Sequence, residues 1–516
     1  MKKKYTILLI AVLVLSVFVN SACRRDSSAA GRTRTDTLIW ASLSMPVNLD
    51  PTLTNDMASA RVHPLIYDTL LNMDYDMNPE PGLAERWQFE NDAQGQPTII
   101  RLFLKRGVYF HNGDELNARI VKFSLDRAIA SPVIGHITGM IQSVEVVNDY
   151  EVLIRLPYPF SPILNHLAHR ATSIVNERAL TEMGPERHSM APVGTGPYIV
   201  TNIVTGDRIE LTAWDRYHGT PAPIPNMIVR VLPDPATRQI ELETGGVDII
   251  LDIPPTDISR VLAHPDLQLA RGPNFYVEYI GFTVTRPPFD DVRVRQAINY
   301  AIDAEAVIRA AYMGAGSLQT GPLSPRVWAS TADRLPVYEY NPERARQLLA
   351  EAGFPNGFTT DLWTNENPAR VDVCEIVQNM LAQVGITVEI RIAELSALLE
   401  TTARGETDMF SLGWRTVTGD ADYGLIPLFH TTQFGAAGNR SYYSNPVLDR
   451  ILDEARAEPN RTRREQLYAE AQQIIRDDAV WVFLWVGESI NALRADLRGF
   501  QIHPSEVHRM WELYFE

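Results

Sequence analysis

The stretch from Phe275 to Asp303, FYVEYIGFTVTRPPFDDVRVRQAINYAID, sets terms that the rest of the chain must meet. In its extended first part Phe275, Val277 and Tyr279 lie on one side, and Tyr276, Ile280, Phe282 and Val284 mostly on the other. Aromatic and β-branched residues on both sides predict a strand covered on both faces. Pro287-Pro288 ends that strand, and Asp290 and Asp291 offer N-cap chemistry. Val294, Ala297, Ile298, Ala301 and Ile302 then recur at the spacing of an amphipathic helix. A buried strand followed by a helix that packs back over it is the start of an α/β domain, here beginning near the middle of the chain.

The chain has 516 residues, enough for about two to four domains with ordinary apolar cores. Its formal charge of −16 argues against a nucleic-acid partner, which needs a clustered basic surface. Lys2, Lys3 and Lys4 precede an apolar run from Ile7 to Val19 that is too short for a membrane span and reads as a secretory leader. Val19-Asn20-Ser21-Ala22-Cys23 follows, with small residues before the cysteine, as in a bacterial lipobox. Asn20 departs from the aliphatic residue usual there. Residues 1–22 are therefore a signal peptide, Cys23 is the lipidation site, and 23–35, rich in Ser, Ala, Arg and Thr, is a tether. Cys374 is the other cysteine; its helical neighbours Val373, Val377, Leu381 and Val384 make it a packed core thiol, and no disulfide is expected.

Further along, Ile99 to Leu104 alternates as a strand, Asn112-Gly113 is a turn, and Asn117 caps a helix carrying Val121, Leu125, Ala128 and Ile129. Val144 to Leu156 returns to strands. Gly194-Thr195-Gly196-Pro197-Tyr198 lacks the Lys-Ser/Thr of a phosphate loop and reads as a turn needing glycine. Strands are expected at Arg208 to Trp214 and Met227 to Leu232, and a helix at Thr237 to Glu243. In the second half, helices are expected at Ala304 to Tyr312, Pro342 to Ala352 and Ala369 to Val384, with strands at Val388 to Ile392, Met409 to Trp414 and Val480 to Val486. Two more helices carry Leu448, Ile451, Leu452 and Ala455, then Leu467, Ala471, Ile474 and Ile475.

Several of these segments together resemble the solute-binding proteins of oligopeptide and dipeptide ABC transporters, extracytoplasmic family 5. They are VYFHNGDELNARIVKFSLDRA (108–128), VGTGPYIV (193–200), PPFDDVRVRQAINYAID (287–303), NPERARQLLAEAGF (341–354) and YYSNPVLDRILDEARAE (442–458), in family order between Thr37 and Ile490. The resemblance implies a mixed α/β, two-lobed periplasmic-binding-protein-like fold with an extra inserted domain. Lobe I would be 36–66, 175–274 and 490–516, the inserted α+β domain 67–174, and lobe II 275–489. The chain would cross between lobes near 274 and 490. It implies a monomer that captures short peptides in the interlobe cleft and hands them to ABC permease subunits, with no cofactor.

Catalytic patterns are missing: no G-x-S-x-G, no H-E-x-x-H, no paired C-x-x-C. His166 and His169 are spaced i, i+3, but after a proline-rich stretch, and carry no metal site. The loop Gly413 to Tyr423 is the most informative. The resemblance places Trp414 at the cleft and an ammonium-binding carboxylate three positions on, where this chain has Val417. Asp420 and Asp422 follow in a G-D-A-D-aromatic variant found in branches that include glutathione and Gram-positive peptide binders. Trp414, Asp420, Asp422 and Tyr423 are thus the expected ligand-binding residues, and one of the two carboxylates should hold a peptide ammonium. An Asx turn or helix cap is the alternative for the aspartates, and core burial for Trp414. A non-peptide solute (nickel, an opine, a sugar oligomer), a secreted hydrolase and a chaperone remain the rival functions.

Overall fold

A computed structural model describes residues 35–516. The leader, Cys23 and the tether up to residue 34 lie outside the described residues. Strand β1 (Thr37–Ser42) is followed by a small hairpin, β2 (Leu71–Met73) and β3 (Pro79–Pro81), and then by β4 (Ala84–Glu90), β5 (Ile99–Leu104), β6 (Ser143–Asn148) and β7 (Glu151–Arg155). Next come β8 (Tyr198–Val204), β9 (Arg208–Ala213), β10 (Asn226–Val231), β11 (Ile249–Ile250) and the long β12 (Leu267–Phe282). The second half contributes β13 (Ser317–Leu318), β14 (Thr359–Asn365), β15 (Thr387–Ala393), β16 (Met409–Arg415) and β17 (Trp481–Arg494).

The main sheet runs β15-β14-β16-β12-β17-β11-β1-β10-β9-β8, with β13 also on β17. Its two central strands are long and antiparallel. β12 pairs with β17 from Leu267 opposite Arg494 to Gly281 opposite Trp481, with a register shift between Pro273 and Val277. Before the shift, β17 carries β11 on its other side; beyond the shift, β12 carries β16. One ribbon therefore holds two half-sheets, each with its own core.

Both faces of β12 are covered, as its composition predicts. Phe275 and Tyr279 join a cluster with Leu425, Phe429 and Trp481, while Ile280 and Phe282 join Phe289, Val294 and Ile298 on the opposite face. Tyr279 stacks on Trp481 with centroids 3.5 Å apart. The helix Val292–Ala301 is capped by Asp291, whose carboxylate accepts from the Arg293 amide at 2.8 Å. Asn341 caps Pro342–Glu351 in the same way, and Cys374 is fully buried in the helix Pro368–Ala382, where burial pushes its thiol up to about 12.

In the first half, β1 lies between β10 and β11 and shares a core with Tyr198, Leu211 and Met227. Asp248, fully buried, accepts from the Ile39 amide at 2.7 Å and pairs with Arg494 at 2.9 Å, so one carboxylate ties β1 to the far end of β17. Gly194 and Gly196 are required by close approach: a Cβ on Gly194 would lie 1.9 Å from the Ile66 carbonyl oxygen, and one on Gly196 2.5 Å from the Ile66 carbonyl carbon. The separate sheet β4-β5-β7-β6, with the helix Ala118–Ala130 capped by Asn117, encloses its own core of Ile100, Leu102, Val121, Leu125 and Ile154.

Three buried histidines set an acid limit on this fold. Burial holds His63 and His503 down at about 4 and His508 at about 3, with the nearby charges of Arg170, Arg509 and Arg61 respectively acting in the same direction. Below about pH 6.5 the unfolded chain binds protons on these rings that the folded chain refuses until about pH 4 or lower, so stability falls across that window. Each ring contributes about 1.4 kcal/mol per pH unit. Denaturation midpoints measured from pH 7 down to pH 4 should fall steadily, and His508→Gln should flatten the slope by about one ring's share. An unchanged slope in the variant would mean that this ring protonates freely in the folded chain.

Candidate functional site

A cavity of about 780 Å³ opens between the two halves of the main sheet and the inserted unit. The β1 half contributes Tyr67, Asp68 and the loop Tyr217 to Pro223; the inserted unit adds Lys105 and the segment from Asn165 to Ser173. From the other half come Phe275, Arg415, Val417 and Thr418, and the C-terminal segment supplies His503, Arg509, Trp511 and Glu512.

Asp68 is held by three donors: Thr195 Oγ1 at 2.8 Å, His218 Nε2 at 2.9 Å and the Tyr217 hydroxyl at 3.3 Å. Burial and the Asp68 charge push the Tyr217 phenol well above its usual range. Arg415 pairs with Glu506 and lies 5.6 Å over the Tyr276 ring. Glu506 sits at φ 64°, a left-handed conformation unusual without glycine. Its surroundings over-determine it: its carboxylate also accepts from Asn274 at 2.8 Å, and its carbonyl from Arg61 at 3.2 Å. Arg509 donates to the Met73 carbonyl at 2.7 Å and pairs with Glu80 at 2.6 Å.

The β2–β3 hairpin spans the gap beside the cavity. Met73 and Met77 are inserted into the cluster that holds Phe275, Trp328 and Leu412. Arg326 donates to the Tyr75 carbonyl at 2.6 Å, and Arg461 to the Met77 carbonyl at 3.2 Å and Asn78 Oδ1 at 2.9 Å. A second bridge runs from Asn165 Nδ2 to the Thr418 carbonyl at 3.0 Å, while Val417 packs against Ile134, Ile137 and Ala171.

The four site residues expected from the sequence stand elsewhere. Asp420 is fully buried, caps the helix Ala421–Phe429 through the Asp422 amide at 2.9 Å, and pairs with Arg464 at 2.5 Å. Asp422 is 4% exposed and takes both arms of Arg456, at 2.9 and 3.1 Å. Neither lines the cavity, and each is paired with an arginine, Arg464 buried and Arg456 partly exposed. The cap reading describes Asp420. Trp414 and Tyr423 are half-buried against one another, with centroids 5.7 Å apart and the Trp414 indole donating to the Tyr423 carbonyl at 3.0 Å, also away from the lining. The loop itself does reach the cavity, through Arg415, Val417 and Thr418. Of the histidine pair, His166 is tied to the Ile137 carbonyl at 2.7 Å and His169 faces the cavity. Among the described residues no group of three or more His, Cys, Asp or Glu side chains could hold a metal ion.

Two bodies on one two-stranded ribbon, with a cavity between them and contacts bridging its walls, define a cleft-type binding protein. Residues 78–436 match the family described as bacterial extracellular solute-binding proteins, family 5 Middle. The glutathione-binding protein GsiB of Pectobacterium atrosepticum is 35% identical over 477 residues, covering 89% of this chain and 90% of the relative. Heme-binding protein A of Haemophilus influenzae is 31% identical, covering 93% of each. Among solved structures, HbpA2 from Haemophilus parasuis matches with a TM-score of 0.87 at 29% identity, covering 93% of this chain and 100% of that one. The chain belongs to the family 5 bacterial extracellular solute-binding proteins.

If the aspartates are structural, their removal is a stability event. Asp420→Asn leaves Arg464 buried without its partner and should cost about 3–5 kcal/mol, read by chemical denaturation. Calorimetry on folded Asp422→Asn should show the same ratio of affinities for a free peptide and its N-acetylated form as the unmodified protein. A ratio that collapses in the variant would restore Asp422 as an ammonium anchor.

Proposed function

We propose that this protein is the substrate-binding component of an ABC importer, taking up short peptides in the cleft and delivering them to a membrane permease. The observation that carries the reading is the cavity itself, of a size to enclose a few residues and walled by charged groups of both signs, backbone-rich loops and the aromatic rings of Tyr67, Tyr217, Phe275 and Trp511. A ligand touching both walls stabilises the closed arrangement, and the closed shape is what a permease can distinguish from an empty protein. The family 5 relatives are binding proteins, and the glutathione-binding one points to a ligand of about peptide size. Anchoring is a separate element of the reading: a lipid on Cys23 would keep the mature chain at the outer face of the cell membrane.

A pool of di- to octapeptides together with glutathione should raise the unfolding temperature without being consumed. At about 100 times the dissociation constant, ligand stabilises by roughly 2.7 kcal/mol. Steady peptide cleavage that scales with protein and survives repurification would overturn the binding reading in favour of a hydrolase. A Soret shift on adding hemin, with no response to any peptide, would move the ligand to the class named in the heme-binding relative.

For the anchor, Cys23→Ser should leave the folded body intact and stop incorporation of labelled palmitate. Retained label together with membrane association in the Ser variant would refute lipidation at this residue.

A further inference from the structure

The charged groups of the cavity wall divide sharply into those that have partners and those that do not. Arg415 is matched by Glu506, and Arg509 by Glu80. Glu512 lies 3.4 Å from both Arg509 and the Tyr75 hydroxyl, and Asp68 is surrounded by three donors. Arg170 and Lys105 are different. Among the described residues neither has a carboxylate within 4 Å, although both line the cavity. The Arg170 guanidinium makes two neutral contacts, to the Asn55 carbonyl at 3.2 Å and to His169 Nε2 at 3.1 Å. The nearest acidic influence on it is Asp56, whose carboxylate is engaged by Thr54 and Ser59 at the start of the helix Met57–Ile66. Partial burial draws Arg170 down to about 10 and holds His169 well below its usual range, so this cation stands half withdrawn from water.

Resting on the peptide-binding reading above, we infer that the cleft selects acidic peptides, with the Arg170 guanidinium as the seat of a ligand carboxylate and Lys105 as a second compensating charge. A planar guanidinium offers parallel N–H donors that match a carboxylate, and the pair gains strength where water is thin. A half-buried cation without a carboxylate beside it is better balanced when an incoming anion meets it. Val417 adds to the case: the loop brings an aliphatic side chain to this wall, and that side chain packs on Ile134 and Ile137. The chain carries a formal charge of −16, so two uncompensated cations in one cavity are a local reversal that draws anions inward.

The test is calorimetry at low and high salt with three tripeptides of equal size: glutathione, its form with both carboxylates amidated, and a tri-alanine amide, against the full chain, Arg170→Gln, Lys105→Gln and the exposed control Arg344→Gln. Glutathione should bind about tenfold or more tighter than its diamide, and Arg170→Gln should remove most of that advantage while leaving diamide affinity nearly unchanged. Lys105→Gln should weaken the salt dependence, and the control should change nothing. If all three peptides bind with similar affinity, the acidic selection is wrong while peptide binding stands. If none binds, the peptide reading falls and this inference with it. Should Arg170→Gln fail to fold, the ratio of glutathione to diamide in the unaltered chain, and its loss at high salt, decide the matter alone. A phosphorylated tripeptide that outcompetes glutathione would overturn the assignment of the seat to carboxylate.

Discussion

The ribbon of β12 and β17 is the constraint on which the rest depends. The two halves of the main sheet are joined through it, and its register shift between Pro273 and Val277 falls where one half-sheet gives way to the next. Ladder hydrogen bonds on either side hold each half rigid, so relative motion concentrates where pairing is interrupted. Asp248 and Arg494 lock one end of the ribbon to β1, and Tyr279 stacked on Trp481 locks the other. The cavity lies beside that interruption, where Phe275 and Asn274 meet the C-terminal segment: the Phe275 amide donates to the Pro504 carbonyl at 3.2 Å, and Asn274 to Glu506.

Charge is used in two ways in this molecule, and burial with a partner separates them. Asp420 with Arg464, Asp422 with Arg456, and Glu278 with Arg370 are pairs further held by Tyr468 and Tyr276, although Asp420 Oδ2 itself is buried without a hydrogen bond. Burial pushes the Glu278 carboxyl up against the pull of Arg370, so this pair specifies geometry more than it contributes net stability. Breaking any of these pairs costs more than making it gained. The cavity departs from that pattern: among the described residues Arg170 and Lys105 line it with no carboxylate partner, Arg170 donating only to the Asn55 carbonyl and His169.

Local signals carried much of the fold. The caps at Asn117, Asp291 and Asn341, the two-faced apolar character of β12 and the buried Cys374 are all decided by a few neighbouring residues, and each forms as its local chemistry dictates. β17 runs eight residues past the expected end at Val486, because Ser489 and Asn491 are polar yet buried between β11 and β12. β14, the β2–β3 hairpin and the helix Met57–Ile66 were not anticipated. In that helix Pro64 argues against the assignment, while tertiary packing around Val62, Leu65 and Ile66 prevails. The site was less legible than the fold, since Asp68, Lys105 and Arg170 carry no motif. They meet through chain crossings of 37 to 102 residues in sequence, which only topology supplies.

The loop that the sequence singled out still shapes the cavity, though not through the residues chosen. The Asp420 cap starts the helix Ala421–Phe429, and its pairing with Arg464 fixes where the preceding turn can go. Trp328 completes the frame by donating its amide to the Gly419 carbonyl at 2.8 Å while its ring lies 4.7 Å from the Arg464 guanidinium. That anchored turn leaves Thr418 to receive Asn165 and Val417 to enter the apolar patch of the inserted unit. The aspartates that follow thus fix the position of a wall whose side chain at 417 is apolar, with Arg415 and Thr418 as its polar neighbours.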